Sequence, residues 1–132
     1  MSPLKPRLTG TAELIVGKEH TAASVGSGRV GVLATPVMIN LIEAAALQAI
    51  EAFLPDGHQS LGTFLEVSHV AATPVGMQAA ATAELVRVEG RLLHFRVCAA
   101  DEVEEIGSGT HQRIVVNVEK FDARVARKSK GE

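Results

Sequence analysis

Glu43 is the residue of this chain whose setting most demands a chemical explanation. It lies in "LATPVMINLIEAAALQAI" (33–50), a run made almost wholly of Val, Ile, Leu, Met and Ala, and no Lys or Arg stands three or four residues away. A helical carboxylate without a partner on its own helix either sits at an exposed edge, here beside Glu51, or is held out of water. Held out of water it is costly to keep, and it is available as a base or a nucleophile. The helix alone leaves both possibilities open.

The other residues with chemical potential are more ordinary taken singly. His20, His58, His69, His94 and His111 form neither H-x-x-x-H nor H-x-x-E-H, so they give no metal-site spacing. His69 has the parity of Leu61, Thr63, Leu65 and Val67 and is expected on their face of a strand. Judged alone it is a partly buried, hydrogen-bonded strand histidine. Arg113 has the parity of Val115, Asn117 and Glu119, as a solvated or cross-strand residue would. "GSGRVG" (26–31) matches G-x-G-x-x-G. Such glycines should open a helix directly after a strand, whereas the helix here begins at Thr35, so a flexible loop is the better reading. There is no G-x-S-x-G elbow for a hydrolase serine.

The elements that must position these residues follow from pattern. "TAELIVGKEHTA" (11–22) alternates through Ala12, Leu14 and Val16 as a first strand. Thr35-Pro36 is a helix start, with Thr as N-cap and Pro at the first helical position, and the helix should run to about Phe53, where "LPDGHQS" stops it. Strands are expected over 60–73, 77–90, 91–101 and 102–121, with Glu89-Gly90 as a hairpin turn. Residues 1–10 and the basic tail 122–132 read as loose ends of a single domain, 1–132. One central helix and about five strands give an α+β sheet wrapped around that helix. Apolar groups run almost all the way round the helix, so it should be buried on more than one face, by its own sheet and by a second subunit.

Composition narrows the function classes. The chain has 132 residues, 46% hydrophobic and 21% charged, enough for one core. A net charge of -2, no Trp or Tyr and four Phe argue against nucleic acid. Cys98 is the single cysteine, which excludes an internal disulfide and a Cys-rich zinc site. The apolar run is interrupted by Asn40, Glu43, Gln48 and Glu51, so no membrane span is expected. The N-terminal residues lack an apolar signal core, so the default location is cytoplasmic.

Three stretches together carry a family likeness: "LATPVMINLIEAA" (33–45), "SLGTFLEVSHVAATPVG" (60–76) and "VEGRLLHFRVCAADEVEEIGSGTHQRIVVNVEKF" (88–121). From about Val32 to Lys128 the chain resembles hotdog-fold acyl-CoA thioesterases of the fluoroacetyl-CoA thioesterase group. The resemblance implies a hotdog fold, an antiparallel sheet around one helix, paired into a homodimer with sites near the interface; a tetramer of paired dimers stays open. It implies hydrolysis of a short-chain acyl-CoA to the acid and free CoA. CoA is then part of the substrate, and no metal or other cofactor is called for.

By the same resemblance Thr35, Glu43 and His69 are the catalytic positions, and Gly62 and Arg113 the oxyanion and substrate-binding ones. Glu43 would attack the carbonyl or activate a water, and Thr35 would hydrogen-bond the carboxylate or the oxyanion. The Gly62 N–H would polarise the carbonyl, and His69 would move protons. The chain departs from its relatives before Thr35, where "SVGSGRVGVLA" is short and free of aromatics, and at Pro36, which replaces a glycine. Two alternatives remain: a hotdog hydratase or dehydratase acting on acyl thioesters, and a non-catalytic acyl-CoA or small-ligand binding protein.

Overall fold

A computed structural model describes residues 4–132. The order is β1 (Thr9–Ile15), α1 (Ala22–Val25), α2 (Thr35–Ile50), β2 (His58–His69), β3 (Gln78–Glu89), β4 (Leu92–Asp101), β5 (Glu105–Asn117) and α3 (Val118–Ser129). The strands form one antiparallel sheet in the order β1-β3-β4-β5-β2. The sheet curls around α2, as the element pattern implies.

Small side chains let helix and sheet approach closely. Ala79, Ala81 and Ala83 on β3 and Ala45, Ala46 and Ala49 on α2 are all buried. On β1, a Cβ at Gly10 would collide with the Ala45 carbonyl oxygen and lie 2.5 Å from the Ala49 nitrogen. Larger groups fill the rest of the core: Met38, Ile42 and Ile50 from α2, Leu85 from β3, and Leu93, Phe95 and Val97 from β4. The stretch Thr35–Phe53 has the length and hydropathy of a membrane span. Its apolar character is accounted for by the sheet it packs on.

Several boundaries differ from the pattern reading, each for a local reason. β1 ends at Ile15 because Gly17 N–H is taken by His20 Nδ1 (2.8 Å) and Thr21 Oγ1 caps α1 by accepting from Ser24 N–H (3.3 Å). Thr35 is not the N-cap of α2: Ala34 holds that place with no side-chain cap, and Thr35 is the first helical residue. The helix ends at Ile50 and a 3₁₀ turn continues to Phe53.

Neither end is loose throughout. Leu4 is buried in the core and Thr9 and Gly10 belong to β1. Residues 1–3 lie outside the described residues. The tail forms α3, capped where Asn117 Oδ1 accepts from Lys120 N–H (3.0 Å).

Two β-bulges occur at one level of the sheet. Thr63 is the extra residue in β2, between the pairs Gly62↔Arg113 and Phe64↔Gln112, and Val86 is the extra residue in β3. Between the bulges runs an inner row Leu85, Phe95, His111, Leu65, and the next inner row is Val88, Leu93, Arg113, Gly62. A bulge shifts side-chain alternation by one residue. Ser60 and Gly62 therefore face inward with Leu65, Val67 and His69, and the exposed Leu61 and Thr63 do not share the face of His69, contrary to simple parity.

Candidate active site

The carboxylate of Glu43 is paired after all, by a residue far away in sequence. Arg113 Nη1 donates to Glu43 Oε2 at 3.2 Å, with the guanidinium buried and the carboxylate side chain 37% exposed. Arg113 is thus neither a solvated nor an ordinary cross-strand residue. Its Nε donates to Ser60 Oγ (2.8 Å), its Nη2 to the Ser60 carbonyl (3.1 Å), and its Nη1 also to His111 Nε2 (3.2 Å). Burial pulls the Arg113 pKa down, and the charge and hydrogen bond of Glu43 oppose that.

Gly62 closes the other side of the carboxylate. A Cβ there would stand 2.6 Å from Glu43 Oε2 and 3.2 Å from His111 Cε1. Only glycine leaves the carboxylate its present position against the β2 backbone.

Thr35 and His69 form a second pair, Oγ1 to Nδ1 at 2.7 Å. As the first residue of α2, Thr35 turns its hydroxyl to β2, and with Ala34 at the cap position the helix start forgoes about 1 kcal/mol of side-chain capping. Thr35 thus meets the imidazole, not the Glu43 carboxylate. Burial lowers the His69 pKa, partly offset by the Ala71 backbone. Its Nε2 is buried and makes no hydrogen bond among the described residues. The pair lines a cavity of about 370 Å³ whose walls include Ala22, Val30, Val32, Val70 and Ala71.

The five residues singled out in the sequence therefore fall into two groups, Glu43 with Arg113 and Gly62, and Thr35 with His69, and of these five Thr35 and His69 line the cavity. Thr35 and Glu43 are eight residues apart on α2, about 12 Å of helix rise. No hydrogen bond joins His69 to Glu43 among the described residues. The sequence reading missed Ser60 and His111, which fix the Arg113 side chain. Among the described residues no three His, Cys, Asp or Glu side chains cluster as a metal site would need. A larger depression, about 760 Å³, lies on the outer face of the sheet around Thr82, Arg96 and Cys98, away from this chemistry.

The curled antiparallel sheet on one central helix is the hotdog architecture of the thioesterase superfamily. A Thermus thermophilus protein described as hypothetical, a member of that superfamily, matches with a TM-score of 0.89 at 28% identity, covering 100% of both chains. A family model described as fluoroacetyl-CoA-specific thioesterase matches residues 16–119. A fluoroacetyl-CoA thioesterase of Streptantibioticus cattleyicolor is 51% identical over 98 residues, 74% of this chain and 70% of that protein. A solved structure of the fluoroacetyl-CoA thioesterase FlK superposes with a TM-score of 0.88 at 40% identity, over 95% of this chain and 97% of that one. The chain belongs to the fluoroacetyl-CoA-specific thioesterase family.

Proposed function

We propose that this chain is an acyl-CoA thioesterase that hydrolyses a short-chain acyl-CoA to the carboxylic acid and free CoA. The observation that carries the reading is the Glu43 carboxylate, held by Arg113 against the Gly62 backbone and still partly open to solvent. Glu43 attacks the thioester carbonyl or draws a proton from the attacking water, and the Gly62 N–H takes up charge on the carbonyl oxygen. The carbon–sulfur bond breaks, and the leaving thiolate takes, through His69, whose ring Thr35 orients, a proton that comes from the attacking water; in the direct route that water hydrolyses the acyl–Glu43 anhydride and restores the carboxylate. Arg113 keeps the carboxylate aimed. The aliphatic walls of the cavity beside Thr35 and His69 suit a short aliphatic acyl group. CoA enters as part of the substrate, and none of these steps calls for a metal or other cofactor.

The same reading includes a cytoplasmic homodimer. The outer edge of β2, twelve residues long, has no strand beside it among the described residues, and Leu61 and Phe64 on it are exposed. A long open edge is a template for a second copy of the same strand. Light scattering after size exclusion checks this: two copies are expected, or four if dimers pair further, and a monomer at micromolar concentration contradicts it.

Release of thiol from a panel of acyl-CoAs tests the activity. Hydrolysis of short acyl chains supports it. A change in enoyl-CoA absorbance without thiol release would make the protein a hydratase or dehydratase. Saturable binding without any CoA release would make it a binding protein.

A further inference from the structure

His111 takes no part in the reaction steps above, yet its surroundings are tightly constrained. It is 0% exposed. Its Nδ1 lies 2.8 Å from the Phe64 carbonyl oxygen, and its Nε2 lies 3.2 Å from Arg113 Nη1. A carbonyl only accepts and a guanidinium only donates. Both contacts are satisfied together only by the neutral ring with its proton on Nδ1. The ring is stacked on Phe95 at a centroid distance of 5.9 Å, which fixes its plane. Phe64 stands beside the Thr63 bulge, so the carbonyl that His111 engages belongs to the bulge that aims Gly62 inward.

We propose that His111 is a positioning residue of the thioesterase site, acting through Arg113 on Glu43. By accepting one Nη1 hydrogen it leaves the other for the Glu43 carboxylate, while Ser60 holds Nε and Nη2. A second proton, on Nε2, would face the guanidinium with hydrogen against hydrogen and push Arg113 off Glu43. The groups that bear on the ring are Arg113 from β5, Glu43 from α2, the Phe64 carbonyl from β2 and the Phe95 ring from β4. Burial first, and the Arg113 charge further, lower the pKa of His111, while the Phe64 carbonyl and Glu43 oppose this. The network is therefore intact at neutral pH and opens in acid, and His111 sets an acid limit on turnover separate from any proton that His69 carries. The proposal rests on the assignment of Glu43 as the group that acts on the thioester.

Two substitutions separate the two nitrogens. In H111N the side-chain amide reaches the place of Nδ1 and retains a donor to Phe64, but offers nothing to Arg113. In H111Q the side-chain oxygen reaches the place of Nε2, still accepts from Arg113 and cannot be protonated. Misplacing a reacting group by about 1 Å costs on the order of 10²-fold. H111N is expected to lose about 10- to 100-fold in kcat with little change in KM. H111Q is expected to stay at least about 3-fold above H111N and to lose one ionisation from the acid limb of its pH profile. A ratio below that, or an unchanged acid limb in H111Q, overturns the proposal.

Nitrogen-edited NMR of the unaltered protein supplies a readout independent of turnover and of whether the variants fold. The expected result is a neutral His111 protonated on Nδ1 at pH 7. An Nε2–H tautomer or a charged ring at that pH also overturns the proposal. If the wild type releases no thiol from any acyl-CoA, the thioesterase reading fails, and the NMR result still reports on the hydrogen-bond network.

Discussion

Gly62 and Glu43 touch across the gap between β2 and α2, so that a single added carbon on the glycine would meet the carboxylate at 2.6 Å. The nearest atom it would meet is the tip of a flexible side chain, not backbone, and the His111 ring, at 3.2 Å, has only to give by a few tenths of an ångström. Gly62→Ala should therefore fold, and Glu43 should swing away from Arg113. The expected outcome is an unfolding midpoint close to wild type with kcat lower by about 10- to 100-fold. Equal turnover in the folded variant would remove Gly62 from the site.

Glu43→Gln keeps a carbonyl oxygen for the Arg113 hydrogen bond but removes the charge and the nucleophile. Turnover should drop by at least about 10²-fold. Because the wild-type side chain is 37% exposed, the ion pair is partly screened and the stability change should be small. Stopped assays of thiol release and a thermal melt give the two numbers.

His69→Ala should lose about 10²–10³-fold in kcat and stay folded. Thr35→Val, which removes the hydroxyl bonded to His69, should cost less than His69→Ala, since Thr35 orients the imidazole rather than replacing it. A Thr35→Val variant as poor as His69→Ala would mean that the hydroxyl itself meets the substrate.

Stability should fall in mild acid. Burial lowers the pKa values of both His69 and His111, so the folded protein binds fewer protons than the unfolded chain just below the ordinary histidine value of 6.5. The stabilisation of the neutral rings is complete above that value and is lost as pH falls from it through the depressed folded values. The lowered Asp101 carboxyl acts only near and below its ordinary value of 3.8, outside that window. Urea midpoints measured from pH 8 to pH 5 should decline, and a flat profile would contradict the burial of these two rings.

Gly10→Ala should destabilise without touching the chemistry. Its Cβ would meet the α2 backbone at Ala45 and Ala49, which cannot yield as a side chain tip can. A cost of about 1–3 kcal/mol is expected by denaturant titration.

The strand patterns of β3, β4 and β5, and the long apolar run of α2 opened by Pro36, made most of the sheet and the central helix legible in the sequence. Glu43 was conspicuous for lacking a partner on its own helix. Its partner lies seventy positions on, and no local pattern points to Arg113. The mutual placement of Gly62 and His69 depends on Thr63 being an extra residue, which parity cannot reveal. His111 and Arg113 did carry a signal: two residues apart on one strand, they must face the same way, and a buried guanidinium needs acceptors nearby. The tail also carried one. Asn117 precedes Val118, Phe121 and Val125 at helical spacing, but the surrounding charge made it read as loose.

The paired bulges at Thr63 and Val86 put a crease across the sheet between the His111 row and the Arg113 row. Because Thr63 is supernumerary, excising it would leave Gly62 and His69 six positions apart and still aimed at α2. Curvature and aim are thus separable in this strand: one deletion would straighten β2 and keep Gly62 and His69 on the helix side, while moving the Phe64 carbonyl that His111 engages.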